Sequence, residues 1–219
     1  KLFNWDNIAT TALTAMEGKY NNLPKQTNHA IVNPVPRKRL AYLSPLPPER
    51  SGISDYSAEL LEQLSQYYLI DVITDQENVS DAWIIANTKI RSIAWFKDHS
   101  NEFDRVLYHF GNSHFHQHMF DLLSIVPGVV VLHDFYLSAI QSHMSGIGVA
   151  PLNWKQHLYY SHGYMAVYTA THESYPHEAL WTYPTNLKVL QDALGVIVHS
   201  ENSKQLANQW YGNHTADKW

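Results

Sequence analysis

Cysteine is absent from the 219 residues, so disulfides, thiolate metal ligands and a cysteine nucleophile are all excluded. Charge is scarce as well: Asp, Glu, Lys and Arg make up 16% of the chain, so hydrogen bonding falls largely to His, Asn, Gln, Ser and Tyr. There is no basic excess, because 15 Lys and Arg face 20 Asp and Glu for a formal net charge of −5. The electrostatic footprint of a nucleic-acid binder is therefore missing. No apolar run approaches the roughly 18 residues of a membrane helix, and residues 1–20 lack the order of a secretory signal, so the expectation is a soluble protein. No G-x-G-x-x-G occurs, which removes the nicotinamide and flavin fingerprint. Against these absences stands an ordinary hydrophobic fraction of 45%, unusually rich in aromatics at 13%. The length suits one substantial α/β domain and not two.

The first segment reads as a helix separate from the rest of the chain. Asn4 is placed to cap it. Trp5, Ile8, Ala9, Ala12, Leu13 and Met16 share one face at helical spacing, and Gly18 marks the stop. Residues 21–39 are polar and punctuated by Pro24, Pro34 and Pro36, as in an extended linker. The linker ends in Arg37, Lys38 and Arg39, read as a solvated linker end; contact with anionic lipid is the alternative, although three charges are few for it.

From Leu40 the texture changes to alternating strands and helices. Leu40–Leu43, Leu69–Ile73, Val106–Phe110, Val129–Leu132 and Gly195–Val198 are short apolar runs of the kind that form buried parallel strands. Helical faces lie between them: Ile53, Tyr56, Leu60, Leu61 and Leu64, then Phe115, Met119, Leu122 and Leu123. A long aromatic helix is expected from about Trp154 to Ala170, and a last one from about Ser200 to Trp210. Strands alternating with helix-length segments define βαβ units, hence a Rossmann-like, doubly wound parallel sheet over residues 40–219.

Ligands of such sheets meet the residues just beyond the strands' carboxyl ends. After the first strand, Ser44 to Tyr56 forms a proline-stiffened loop. In it Gly52 allows close backbone approach, and the next helix aims its free N–H groups at an anion. An ordinary βα turn is the competing reading. After the third predicted strand come Gly111 and Asn112, which either shape a ligand-facing turn or cap the helix. His114, His116 and His118 lie just beyond. On a helix, rings two residues apart point about 200° away from each other, so only His114 and His118 share a face and no third metal ligand can be named. No metal is expected. After the fourth predicted strand, His133 and Asp134 lie where a sugar hydroxyl or leaving phosphate would be met, with a structural role for His133 equally open. After the last, His199 precedes Ser200, a natural N-cap beside Ser203 and Glu201.

Four stretches in this order carry a resemblance. They are Ser44 to Ser57, Tyr108 to Ser113, Pro127 to Phe135 and Gly195 to Ser200, and together they span residues 40–212. They resemble the retaining glycosyltransferases of the GT-B fold, the family-4-like sugar transferases of bacterial cell-surface polysaccharide assembly. That resemblance implies two Rossmann-like domains across a cleft, of which this chain is similar to the N-terminal, acceptor-side one. It implies that the loop at Ser51 and Gly52 approaches donor diphosphate or acceptor; relatives carry two glycines there. It implies that His133 meets the transferred sugar. The remaining candidates for substrate or donor-phosphate contact are Gly111, Asn112, Asp134 and His199. No catalytic acid, base or phosphate-binding Lys or Arg carries over, since the family's donor-site residues belong to the C-terminal domain. Residues 1–20, through Phe3-Asn4-Trp5-Asp6, resemble the closing helix of such a C-terminal domain. The implied parent is a tandem transferase; a simple amphipathic helix is the alternative.

The resulting expectation is a fragment of an enzyme that moves sugar from a nucleotide-sugar to a glycan or lipid-linked acceptor with retention, inactive without its C-terminal domain. Retention in the family is ascribed to front-face attack assisted by the leaving phosphate. No cofactor and no nucleic acid are expected. The expected partners are the donor, the acceptor, the C-terminal domain of the same polypeptide and, peripherally, the membrane. The expected location is the cytoplasm, peripheral to the inner membrane. The alternatives are a non-catalytic glycan- or partner-binding module, and a histidine-metal hydrolase.

Overall fold

The computed structural model describes residues 5–18, 36–148, 153–172 and 178–219. These form two units, residues 1–107 and 108–219. Six strands make one all-parallel sheet in the order β3-β2-β1-β4-β5-β6, the doubly wound Rossmann order.

In the first unit, β1 (Lys38–Leu43) pairs with β2 (Tyr68–Ile73) from Lys38↔Tyr68 to Leu43↔Ile73, and β2 pairs with β3 (Lys89–Arg91). Leu40 to Leu43 are fully buried, as a strand covered on both faces requires. Between β1 and β2 runs α2 (Gly52–Leu64), which buries Leu60, Leu61 and Leu64 as the spacing predicts. Its first turns bury Ser54 and Ser57, while Ile53 and Tyr56 are only half-buried. The exchange has a partner: Ser57 Oγ lies 2.6 Å from Ser44 Oγ at the end of β1. Short helices α3 (Ala82–Asn87) and α4 (Ile93–His99) flank β3.

The first helix, α1 (Trp5–Gly18), packs on α2 and buries Ala9, Ala12 and Met16. Its proposed cap Asn4, the Trp5 side chain and linker residues 19–35 lie outside the described residues. The strand begins at Lys38, because each basic side chain there meets a carboxylate. Lys38 pairs with Glu17 at 2.6 Å; Arg39 pairs with Glu102 at 2.7 Å and with buried Asp71 at 3.2 Å. Arg37 donates to the carbonyl of Ser65 at 2.6 Å.

β4 (Arg105–Phe110) crosses from the first unit into the second. In the second unit a 3₁₀ turn (His114–His116) leads into α5 (Gln117–Ile125), and β5 (Val129–Leu132) pairs with β6 (Gly195–Val198) from Val129↔Gly195 to Leu132↔Val198. The excursion between these two strands holds α6 (Ser138–Gly146), α7 (Trp154–His162), α8 (Tyr164–His172), α9 (Glu178–Thr182) and α10 (Leu187–Asp192). After β6 comes α11 (Glu201–Tyr211). The single helix expected over 154–170 is two, broken at Gly163, whose φ of +77° and ψ of −169° belong to a region that is essentially glycine's alone. α7 and α8 fold on each other around Leu158, Ala166, Ala170 and Ala179, with Trp154, Val167 and Tyr183 packed alongside.

The residues joining α9 to α10 gather this unit. Pro184 accepts from Leu137 N–H, Thr185 receives Gln141 on its carbonyl, and buried Asn186 donates to the Phe135 carbonyl while accepting from Tyr211. Thr185 is held at φ +48°, a left-handed conformation that a β-branched residue rarely adopts.

Candidate functional site

Three adjacent strands each carry a histidine at or just beyond the carboxyl end. His109 is the penultimate residue of β4, His133 directly follows β5 and His199 directly follows β6. Since the strands are neighbours in the order β4-β5-β6, their imidazoles fall into a row. His109 Nδ1 lies 2.9 Å from His133 Nε2, and His133 Nδ1 lies 3.0 Å from His199 Nε2. The row runs from fully buried His109 through half-buried His133 to exposed His199. The His133 backbone is fixed, its N–H donating to Phe110 O at 2.9 Å and so carrying the β4–β5 ladder one residue beyond β5.

Burial governs the charge of the row. It holds the His109 imidazole well below the usual histidine range, and the neighbouring imidazoles add to the effect. His133 is pushed down to about 3, first by burial and then by His199 and His116. Burial lowers His199 too. Near neutral pH, therefore, the row consists of uncharged rings, each with one N–H and one bare nitrogen. Behind it, buried His116 donates from Nδ1 to the His109 carbonyl at 2.8 Å, which fixes its tautomer; burial takes it down to about 4.

The other residues singled out from the sequence are tied to backbone. Asp134 Oδ2 accepts from Asn112 N–H at 2.7 Å, and Asn112 Oδ1 accepts from Ile140 N–H at 3.0 Å. Asn112 thus caps α6, whose own N-cap position is Leu137, and leaves the following helix α5 without its side chain. Gly111, buried, joins β4 to that capping residue. Asp134 and His133, adjacent in sequence, serve different neighbours. In the first unit, Ser51 is the N-cap of α2, its Oγ accepting from Ile53 N–H at 3.2 Å, and Gly52 is the first helical residue. A Cβ built on Gly52 would meet nothing within 4 Å, so no protein neighbour demands glycine there. Its loop is pinned by Gln76, which both donates to and accepts from the Leu46 backbone at 2.8 Å. Ser200 occupies the N-cap position of α11 as expected, but its hydroxyl makes no capping bond and faces Ser203 Oγ at 3.4 Å.

His114, His116 and His118 do not converge. His116 is turned into the core, and the ring of His114 lies against Phe115 with centroids 4.1 Å apart. Among the described residues no group of three or more His, Asp or Glu is arranged to hold a metal ion. Likewise no helix among them is long and apolar enough to cross a membrane.

No protein-family model, curated protein or solved structure matches the chain.

Of the residues singled out from the sequence, the structure brings His133 and His199 together, and separately Asn112 with Asp134. The sequence reading missed His109. Its one signal was a histidine inside an otherwise apolar strand, Val-Leu-Tyr-His-Phe, where a polar ring needs a buried partner.

Proposed function

We propose that the chain is the acceptor-side domain of a retaining glycosyltransferase, and that the His133–His199 end of the imidazole row meets the sugar being transferred. The observation that carries this reading is the row's position. Neutral imidazoles stand at the carboxyl ends of adjacent parallel strands, where ligands of doubly wound sheets bind, on the residue to which the four-stretch resemblance assigns the sugar contact. A neutral imidazole can donate to a sugar hydroxyl or a phosphate oxygen, and such a contact aids the reaction to the extent that it strengthens in the transition state. Donor binding, in this reading, falls to a second domain of the same polypeptide.

The test is His133→Ala in the complete enzyme, with turnover and melting temperature measured on one preparation. The expected result is a loss of roughly ten- to a thousandfold in turnover, the order for one placed donor, because His199 loses the ring that holds it, with folding largely kept. Unchanged turnover per folded molecule removes the catalytic reading.

One observation favours a second reading, a glycan- or partner-binding module without turnover. Both ring nitrogens of His133 are spent on other histidines, and Ser51, Asn112 and Asp134 are spent on backbone. Glycan binding that survives in a full-length protein with no transfer to any acceptor selects it.

Peripheral membrane contact belongs to the first reading. α7 and α8 expose Tyr159, Tyr160, Tyr164, Met165 and Tyr168, and residues 135–172 contain no Asp or Glu. Tyrosine suits the headgroup level of a bilayer, and an acid-free stretch avoids repulsion from anionic lipid. Co-sedimentation with vesicles containing anionic lipid should fall when Tyr159, Tyr160 and Tyr164 become Ser; equal pelleting of both proteins counts against the contact.

A further inference from the structure

We infer that His109, His133 and His199 form a single tautomeric unit, in which buried His109 decides whether the ligand-facing end of the row donates or accepts a hydrogen bond. The coupling needs only the two short contacts and the proton count of a neutral ring. His133 uses both nitrogens, Nε2 toward His109 Nδ1 at 2.9 Å and Nδ1 toward His199 Nε2 at 3.0 Å. Each contact needs one N–H and one bare nitrogen, and neutral His133 has one of each. If His133 carries its proton on Nδ1, then His199 Nε2 is bare and His109 must donate from Nδ1. All three rings are then Nδ1–H, and every hydrogen bond points outward. If His133 carries its proton on Nε2, all three rings are Nε2–H and every bond points inward. No mixed arrangement satisfies both contacts.

Passing from one state to the other moves a proton across each of the two bonds, releases one from His199 Nδ1 and delivers one to His109 Nε2. The last step must reach a ring with no solvent exposure, so the tautomer is set on folding and not by ligand. His109 is therefore a positioning residue. It acts on a ligand through two other rings, and His199 Nδ1 is the nitrogen whose character it sets. Only the sense of the lock rests on the transferase reading: a donor for sugar hydroxyls and phosphate oxygens requires the outward state.

The coupling is tested on the 219-residue chain with ¹⁵N-labelled histidine, without donor or acceptor. Two-bond proton–nitrogen correlations report which ring nitrogen of each histidine is bare. The expected result is three Nδ1–H rings, each in one tautomer. Three Nε2–H rings uphold the coupling and overturn the donor assignment, so the two ideas fail separately. Opposite tautomers at neighbouring rings overturn the coupling. So does a doubly protonated His133, which would leave His109 as Nε2–H and His199 as Nδ1–H. In His109→Leu, the His199 ring nitrogens should shift toward a mixture of tautomers. A folded variant with unchanged His199 resonances also overturns the coupling. Should that variant fail to fold, the wild-type pattern decides alone.

Discussion

Lowering the pH should unfold this protein well above the range in which its carboxylates titrate. His109 and His116 are fully buried, and His133 and His162 are half-buried. Burial holds His109 well below the ordinary value, His116 and His162 at about 4 and His133 at about 3. In the unfolded chain each returns to about 6.5. Below that value the unfolded state binds more protons than the native one, so stability falls as pH falls. It is complete about a unit above pH 6.5 and lost progressively down to the folded values near 4 and 3. One pH unit below the unfolded value each histidine costs about 1.4 kcal/mol, so the four together cost on the order of 5–6 kcal/mol at pH 5.5. That matches the whole stability of a domain at the low end of the usual range of about 5–15 kcal/mol. Urea unfolding followed by tryptophan fluorescence at pH 7.5, 6.5 and 5.5 should show a modest fall in midpoint between the first two, about 1–1.5 kcal/mol for four histidines, and a collapse at the third. His162→Gln keeps an acceptor for the Thr185 N–H, which the ring takes at 3.2 Å, and should reduce the acid slope by about one proton. Equal midpoints at pH 7.5 and 5.5 would refute the claim that these rings are buried and neutral.

The glycines separate backbone demand from ligand demand. Gly163→Ala should cost about 1–3 kcal/mol, because its φ of +77° suits glycine although a Cβ there meets nothing within 4 Å. Gly52→Ala, on the first turn of α2 with the same open surroundings, should stabilise by about 0.5–1 kcal/mol. A rise in stability with a fall in turnover of the complete enzyme would mark Gly52 as a ligand-approach position, and unchanged turnover would remove it from the site. Asn112→Ala removes the cap of α6 and should cost about 1 kcal/mol in urea unfolding; a loss within error would show that the bond to Ile140 N–H contributes nothing.

The strands that carry the site were legible because each is a run of apolar residues. Val129–Leu132 and Gly195–Val198 match residue for residue. β3 was not, since Lys89-Ile90-Arg91 has no apolar signature and is a strand only through its pairing with β2. Gly163 lies inside a stretch whose composition reads as continuous helix, and only its backbone angle reveals the break. His133 and His199 could be singled out because each follows an apolar run. Their contact could not be foreseen, because it joins residues 66 apart and depends on the order of strands in the sheet. The same holds for Asn112, whose helix of destination lies 28 residues on and not directly after it. Spacing along a chain reports which face a residue occupies; it does not report which strand lies next door.

The triplet Pro184–Thr185–Asn186 determines how this unit comes apart. Three consecutive residues accept from the β5–α6 loop, from α6 and from α11 through Tyr211, and donate to the Phe135 carbonyl and to α7 through His162. Helices that share one knot cannot fray one at a time, because releasing any of them strips partners from buried polar groups of the knot. The amides of α6, α7 and α11 should therefore exchange with deuterium as one block, through a single opening event, despite lying far apart in sequence. Thr185, already in a costly conformation, makes that event easier than the buried surface alone would suggest.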